Sequence, residues 1–234
     1  MSDKQTKIRR AKKLISLLNW ALNNFPRVDD TARKIRRIAE NPPRSSVGET
    51  NRLCARIAYG ELAPSKIYEE IECFKKESSK ATARAVVPIF IEALHARSEG
   101  GIPELSATSI LLPVGRSKDG SMLSFPLRPD FFIERAGKIV PIFQISWTDI
   151  RLTEFQKSLI SSIITIEFLS QTDFLESDAE IWCFPRIKRS LRREFVYWPV
   201  RAYARMSVEE IQKQFERYTK AVSLVVDFFE RETE

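Results

Sequence analysis

Across residues 125–170 the hydrophobic period of this chain switches from two to about 3.6, which confines the segment to strands followed by one amphipathic helix. The stretch reads FPLRPDFFIERAGKIVPIFQISWTDIRLTEFQKSLISSIITIEFLS. Pro129-Asp130 stands at the head of a hairpin, Ala136-Gly137-Lys138 is a tight turn, and an apolar strand runs on through Trp147. From Leu152 the spacing of Phe155, Leu159, Ile163, Ile166 and Leu169 gives a helix with one buried face. Side chains alternate along a strand, so Gln144 and Ser146 share a face while Phe143, Ile145 and Trp147 share the other.

The first hundred residues read as helices. Ile8, Ala11, Leu14, Ile15, Leu18, Ala21, Leu22 and Phe25 predict one run ended by Pro26. Ala32, Ile35, Ile38 and Ala39 predict a second helix, with Asp29, Asp30 and Thr31 offering caps. A third passes through Leu53, Ile57 and Ala58, and Pro64 suits the first turn of a fourth. A fifth spans about 79–97, where Pro88 should kink it or restart it. Gly100-Gly101-Ile102-Pro103 closes this region. After the 125–170 block, residues 180–184 and 194–198 read as strands. A long helix from Val208 follows, with Ser207 and Glu210 in capping-box spacing. Strands alternating with helices predict an α/β fold with a mixed β-sheet core flanked by helices. The expected division is a basic helical segment, 1–78, and an α/β core, 79–234.

Charge is unevenly placed. Residues 1–40 hold eleven Lys or Arg against four acids, so the whole net charge of +7 is concentrated there and the remainder is balanced. A second cluster, Arg186, Lys188, Arg189, Arg192 and Arg193, lies between two strands with aromatic residues close behind. Both suit phosphate contact, as does Arg9-Arg10 with Lys12-Lys13 near the start. Cys54, Cys73 and Cys183 are far apart and odd in number, which argues against a disulfide framework and fits a reducing cytoplasm. No apolar run approaches the roughly 20 residues of a membrane span, and the start lacks a secretory apolar core. A single histidine excludes a His-rich metal cage, and seven glycines form no phosphate-cradling loop.

The strand with Asp130 at its head, the turn, the second strand and the following helix resemble the core of the PD-(D/E)XK nuclease superfamily, also called restriction endonuclease-like. That resemblance implies a mixed sheet in which an Asp and a Glu-x-Lys gather a divalent metal, Mg²⁺, for phosphodiester cleavage. Here the Glu-x-Lys slot reads Gln144-Ile145-Ser146. It therefore implies Asp130 and Gln144 as metal ligands, Glu92 as an added carboxylate from the preceding helix, and Lys157 as a replacement for the missing lysine. The expected function is a DNA-associated, metal-dependent endonuclease. The rival is an inactive member of that fold that binds DNA or a partner protein. A third reading is a helical DNA-binding regulator with an α/β dimerisation or ligand domain. A homodimer and a protein partner both stay open at this stage.

Overall fold

The structure, a computed structural model, describes residues 3–14, 16–42, 47–99, 109–147, 152–171, 174–188, 190 and 192–231. Helices α1 (Asp3–Lys12), α2 (Leu17–Leu22), α3 (Val28–Glu40), α4 (Gly48–Ala58), α5 (Ile67–Glu72) and α6 (Glu77–Arg97) come first. Strands β1 (Ile110–Arg116) and β2 (Met122–Leu127) follow, then β3 (Phe131–Arg135) and β4 (Lys138–Ile145). Helix α7 (Glu154–Ile163), continued by a wide turn over Ile164–Phe168, leads to β5 (Glu180–Cys183), β6 (Val196–Pro199) and α8 (Val208–Arg231). The fold is mixed α/β.

β3, β4, β5 and β6 form one sheet in that order, with β4 and β5 parallel and the outer pairs antiparallel. The parallel pair needs a crossover, and α7 supplies it. β1 and β2 make a separate antiparallel ribbon. Asp130 heads the β3–β4 hairpin, as the sequence suggests, its backbone N–H already bonded to Ile142 O. Residues Phe125 and Leu127 belong to β2, and Asp130 stands between the two sheets, immediately before β3.

Register assigns the faces of the main sheet. Phe131 lies opposite Ile142, Ile142 opposite Glu180, Gln144 opposite Trp182 and Trp182 opposite Tyr197, so these side chains share one face. Against that face packs α6, whose Phe90 meets Phe131, Trp182 and Phe184 at ring separations of 5.4, 5.9 and 6.2 Å. The other face carries Phe132, Phe143 and Trp198, and there the end of α7 and its continuation pack, Phe168 meeting Phe143 at 6.0 Å. At the hairpin tip Arg135 pairs with Lys138, leaving Ala136 and Gly137 as two turn residues with φ of 52° and 69°. Positive φ at both positions is what a twist-compatible two-residue turn demands. The Ala136 N–H donates to the Glu99 carboxylate at 2.7 Å, which offsets some of the cost of alanine there.

The helical expectations hold with two local differences. The first run breaks after Lys12, because Ser16 caps a new helix by accepting the Asn19 N–H at 3.2 Å. α6 runs unbroken through Pro88, which lies on its exposed side, where the carbonyl of Arg84 that loses its partner can meet water. Thr153 and Gln156 form a full capping box at α7, and Ser207 and Glu210 form the expected one at α8. Helices α1 and α3 pack on α8, α2 on α7 and α4 on α6, so the basic N-terminal helices share a continuous buried core with the strands. The closing segment at residues 100–103 lies outside the described residues, and no described helix is long and apolar enough to cross a membrane.

β1 approaches α8 at Gly115, where an added Cβ would stand 3.3 Å from both Cβ and Cγ2 of Thr219. Gly115→Ala should therefore cost about 1–3 kcal/mol by overpacking, measured by urea unfolding. Adding Thr219→Ala should recover part of that loss if the contact is the cause.

Candidate functional site

At the carboxyl end of β4 a polar cluster is assembled from three elements. Asp130 precedes β3 and is half-buried, Gln144 and Ser146 lie at the end of β4 with 3% and 0% exposure, and Asn51 reaches in from α4. The Gln144 backbone N–H donates to Asp130 Oδ2 at 2.7 Å, and the Asn51 amide donates to Asp130 Oδ1 at 3.3 Å. The same Asn51 amide reaches the Gln144 carbonyl at 3.1 Å. Gln144 Nε2 donates to Ser146 Oγ at 2.8 Å, and that hydroxyl donates to Asn51 Oδ1 at 2.6 Å. Donor follows acceptor around the cluster, and both oxygens of Asp130 are engaged.

Local chemistry explains the gathering. The backbone N–H of Asp130 donates to Ile142 O at 2.8 Å, so the residue is already held in the ladder before β3 begins. Its carboxylate then caps the next free N–H of β4. Burial, the largest influence, pushes the Asp130 carboxyl up to about 6 from its ordinary 3.8, against downward pulls from the Gln144 N–H, the Asn51 amide and Arg128. Beside it the buried Cys54 thiol is pushed up to about 12, chiefly by burial, with the Gln144 amide pulling the other way. A thiol so held stays protonated and is no nucleophile at neutral pH.

Two expected members are elsewhere. Glu92 is exposed and lies about 160° around α6 from Phe90, so it faces away from the sheet. Lys157 belongs to α7, across the sheet from Gln144. It pairs with Glu154 at 2.9 Å and sits 5.9 and 5.2 Å from the ring centres of Trp198 and Tyr203. Its place is corrected for a simple reason: the crossover helix packs on the face that carries Trp198, whereas parity sends Gln144 and Ser146 to the other.

The expected Mg²⁺ set is therefore incomplete. A hard dication prefers several anionic oxygens, and this cluster offers a single carboxylate whose two oxygens already accept N–H donors. Among the described residues no three His, Cys, Asp or Glu side chains group closely enough to hold a metal ion. Gln144 Oε1 is the one cluster oxygen that is buried without a donor. The residues present do not fit a resident Mg²⁺ without rearrangement of Asn51.

Of the expected phosphate contacts, Arg9, Arg10, Lys13, Arg186, Lys188 and Arg192 are exposed. Arg10 also donates to Ala39 O at 3.3 Å. Lys12 is engaged by Asp119 at 2.6 Å and is corrected to an internal ion pair. Arg193 is largely buried, and its Nη1 donates to Ser146 O at 3.2 Å and Phe184 O at 2.6 Å. Arg189 lies outside the described residues. Sequence reasoning missed Asn51 altogether. Thr50, Leu53 and Cys54 mark the inner stripe of α4, and Asn51 borders it, which was the available signal.

A second buried group lies further along the same face. Glu180, 1% exposed, accepts from Arg97 at 2.6 Å, Arg135 at 2.8 Å and the Trp182 indole N–H at 2.9 Å. Burial pushes its carboxyl up, but these donors outweigh burial and hold it below its ordinary value. Arg97 also lies 3.5 Å over the ring of Tyr197. Every partner is satisfied, so this group ties α6 to three strands and leaves nothing free for chemistry.

No family model matches the chain, and no curated protein matches it. A solved structure described as "Crystal structure of SSO0001" matches 74% of this chain and 74% of its own, with 13% identity and a TM-score of 0.31. A likeness at that score carries no argument about either fold or function.

Three outcomes follow from the geometry. The folded Asp130 holds a proton that the unfolded chain has shed, so its share of stability is full below about pH 4, falls through about pH 6 and is level above. Asn51→Ala removes a donor to the carboxylate and should move the Asp130 titration, followed by carbon NMR, further upward. Glu180→Gln should cost on the order of 3 kcal/mol in urea unfolding, since two partly covered guanidinium groups lose their counter-charge.

Proposed function

We propose that the chain is a DNA-binding protein built on a PD-(D/E)XK-like core whose metal-binding acid has become a structural acceptor. The order β3, β4, α7, β5, with Asp130 at the head of the hairpin and a parallel crossover, supports the likeness in topology. One observation carries the loss of chemistry: both Asp130 oxygens are taken by N–H donors from Gln144 and Asn51. Lys157 and Glu92, the two groups that could complete a cutting centre, are off this cluster.

For binding, the support is the exposed cations of α1 and of the 186–192 loop, on a chain of net charge +7. Metal-dependent cleavage keeps one specific observation in its favour, the unengaged Gln144 Oε1 beside Asp130.

A direct comparison separates the readings. Wild type and Asp130→Ala are incubated with single- and double-stranded DNA and with RNA, in Mg²⁺ or Mn²⁺, and binding is followed in parallel against salt. The expected result is no cleavage by either protein and an affinity that falls steeply with salt. Arg9→Gln with Lys13→Gln should lower the salt slope by about 0.9 for each duplex phosphate that is no longer neutralised. These substitutions are preferable to deleting the first helices, because α1 and α3 pack on α8. Cleavage that needs metal and disappears in Asp130→Ala would establish the endonuclease instead. Absent DNA binding would remove the DNA-binding reading, and salt-independent binding would take phosphate contacts out of it.

A further inference from the structure

We infer that Arg186 and Arg193 form a receptor for a phosphate group beside the carboxyl ends of β4 and β5; that the phosphate comes from DNA rests on the function proposed above. The loop between β5 and β6 is narrow and internally bonded. Glu194 N–H donates to Pro185 O at 3.1 Å, Ile187 N–H to Arg192 O at 2.9 Å, and Arg192 N–H to Ser190 Oγ at 3.0 Å. Arg186 and Arg193 stand directly opposite each other in an antiparallel bridge, so their side chains leave on the same face. Directly opposed like charges are unfavourable in such a pair, and this loop sets two arginines there.

Arg193 is only 7% exposed, yet among the described residues no carboxylate lies within ion-pair distance of it or of Arg186. Its Nη1 is occupied by the carbonyls of Ser146 and Phe184, which fixes the plane of the guanidinium. Nε and Nη2 have no acceptor among the described residues, and neither is among the polar atoms sealed from solvent without one. Burial, and after it the neighbouring Arg186, pushes the Arg193 guanidinium below its ordinary range. The same protein pairs its other buried ionic group fully, with Glu180 held by two arginines and an indole. A buried cation left without a counter-charge costs several kcal/mol, and an anion bound from solution relieves it.

The chemistry favours phosphate. Two guanidinium forks present several N–H donors to the tetrahedral oxygens of one group, which suits a phosphate better than a lone carboxylate. Exposed Lys188 and Arg192 on the same loop add positive potential around the entrance. The Arg193 plane is set by strand carbonyls and not by a flexible surface stem, so the receptor is preformed on one side and adjustable at Arg186 on the other.

Arg193→Ala would also release the two strand carbonyls, so the decisive variant is Arg186→Ala, at an exposed loop position. Thermal melts of the full chain are run against inorganic phosphate at constant ionic strength, and a short DNA duplex and single strand are titrated separately by fluorescence anisotropy. The expected result is a saturable rise in melting temperature with phosphate. Arg186→Ala should melt no lower than wild type without ligand, since it relieves the repulsion across the bridge, and should raise the half-saturating phosphate concentration about tenfold, the loss of one charged hydrogen-bonding partner. Its salt slope for duplex should fall by about 0.9. Arg193→Lys, keeping charge without the fork, should weaken phosphate in the same sense. Phosphate protection without DNA binding would keep the receptor and overturn the DNA assignment. DNA binding that Arg186→Ala leaves unchanged would keep that assignment and overturn the receptor, as would the absence of any effect of phosphate on wild type.

Discussion

The Asn51 side chain joins three separately folded pieces, and the arrangement at the end of β4 depends on it. Its amide group serves Asp130 and the Gln144 carbonyl while its oxygen serves Ser146, so α4, the approach to β3 and the end of β4 share one residue. Each bond in isolation contributes about 1 kcal/mol, and the partly buried setting raises the cost of breaking any of them. The consequence is chemical as well as structural. A carboxylate that already accepts two N–H groups has about half of its lone-pair sites engaged, and a cation would compete with those donors for its charge.

Much of the fold was legible because it rests on local rules. Alternation at 142–146, the capping pair Ser207–Glu210 and the Ala136-Gly137 turn are each set by near neighbours, and strand parity carried through unchanged. β2 was not separated from the hairpin. FPLRPDFF carries apolar residues on both sides of Pro129-Asp130, and the partition between two sheets is decided by the pairing of β2 with β1. The break between α1 and α2 was hidden for the opposite reason. Its apolar spacing continues across Ser16, and a single side-chain cap overrides it.

The candidate site divides along the same line. Asp130, Gln144 and Ser146 lie within one hairpin, so local reading brought them together. Asn51 lies 79 residues before Asp130 in sequence and carries no motif, so only the packing of α4 against β3 reveals it. Lys157 was misplaced because residue spacing along α7 does not say which face of the sheet a crossover helix will cover. Arg193 looked like its neighbours Arg192 and Lys188 in sequence. The carbonyls of Ser146 and Phe184 hold it inward while those neighbours stay in solvent.

The way the main sheet ends bears on how this protein behaves when crowded. β6 is an outer strand of four residues that closes on Pro199, and a proline there withholds one N–H from any incoming chain. On the far side, beyond β3, the Glu99 N–H takes the Glu134 carbonyl at 3.0 Å and its carboxylate takes the Ala136 N–H, so part of that margin is already filled by the chain itself. Both border strands are also short, five residues in β3 and four in β6. Short borders, one closed by proline and the other partly filled by the chain itself, disfavour the addition of further strands to this aromatic-rich sheet.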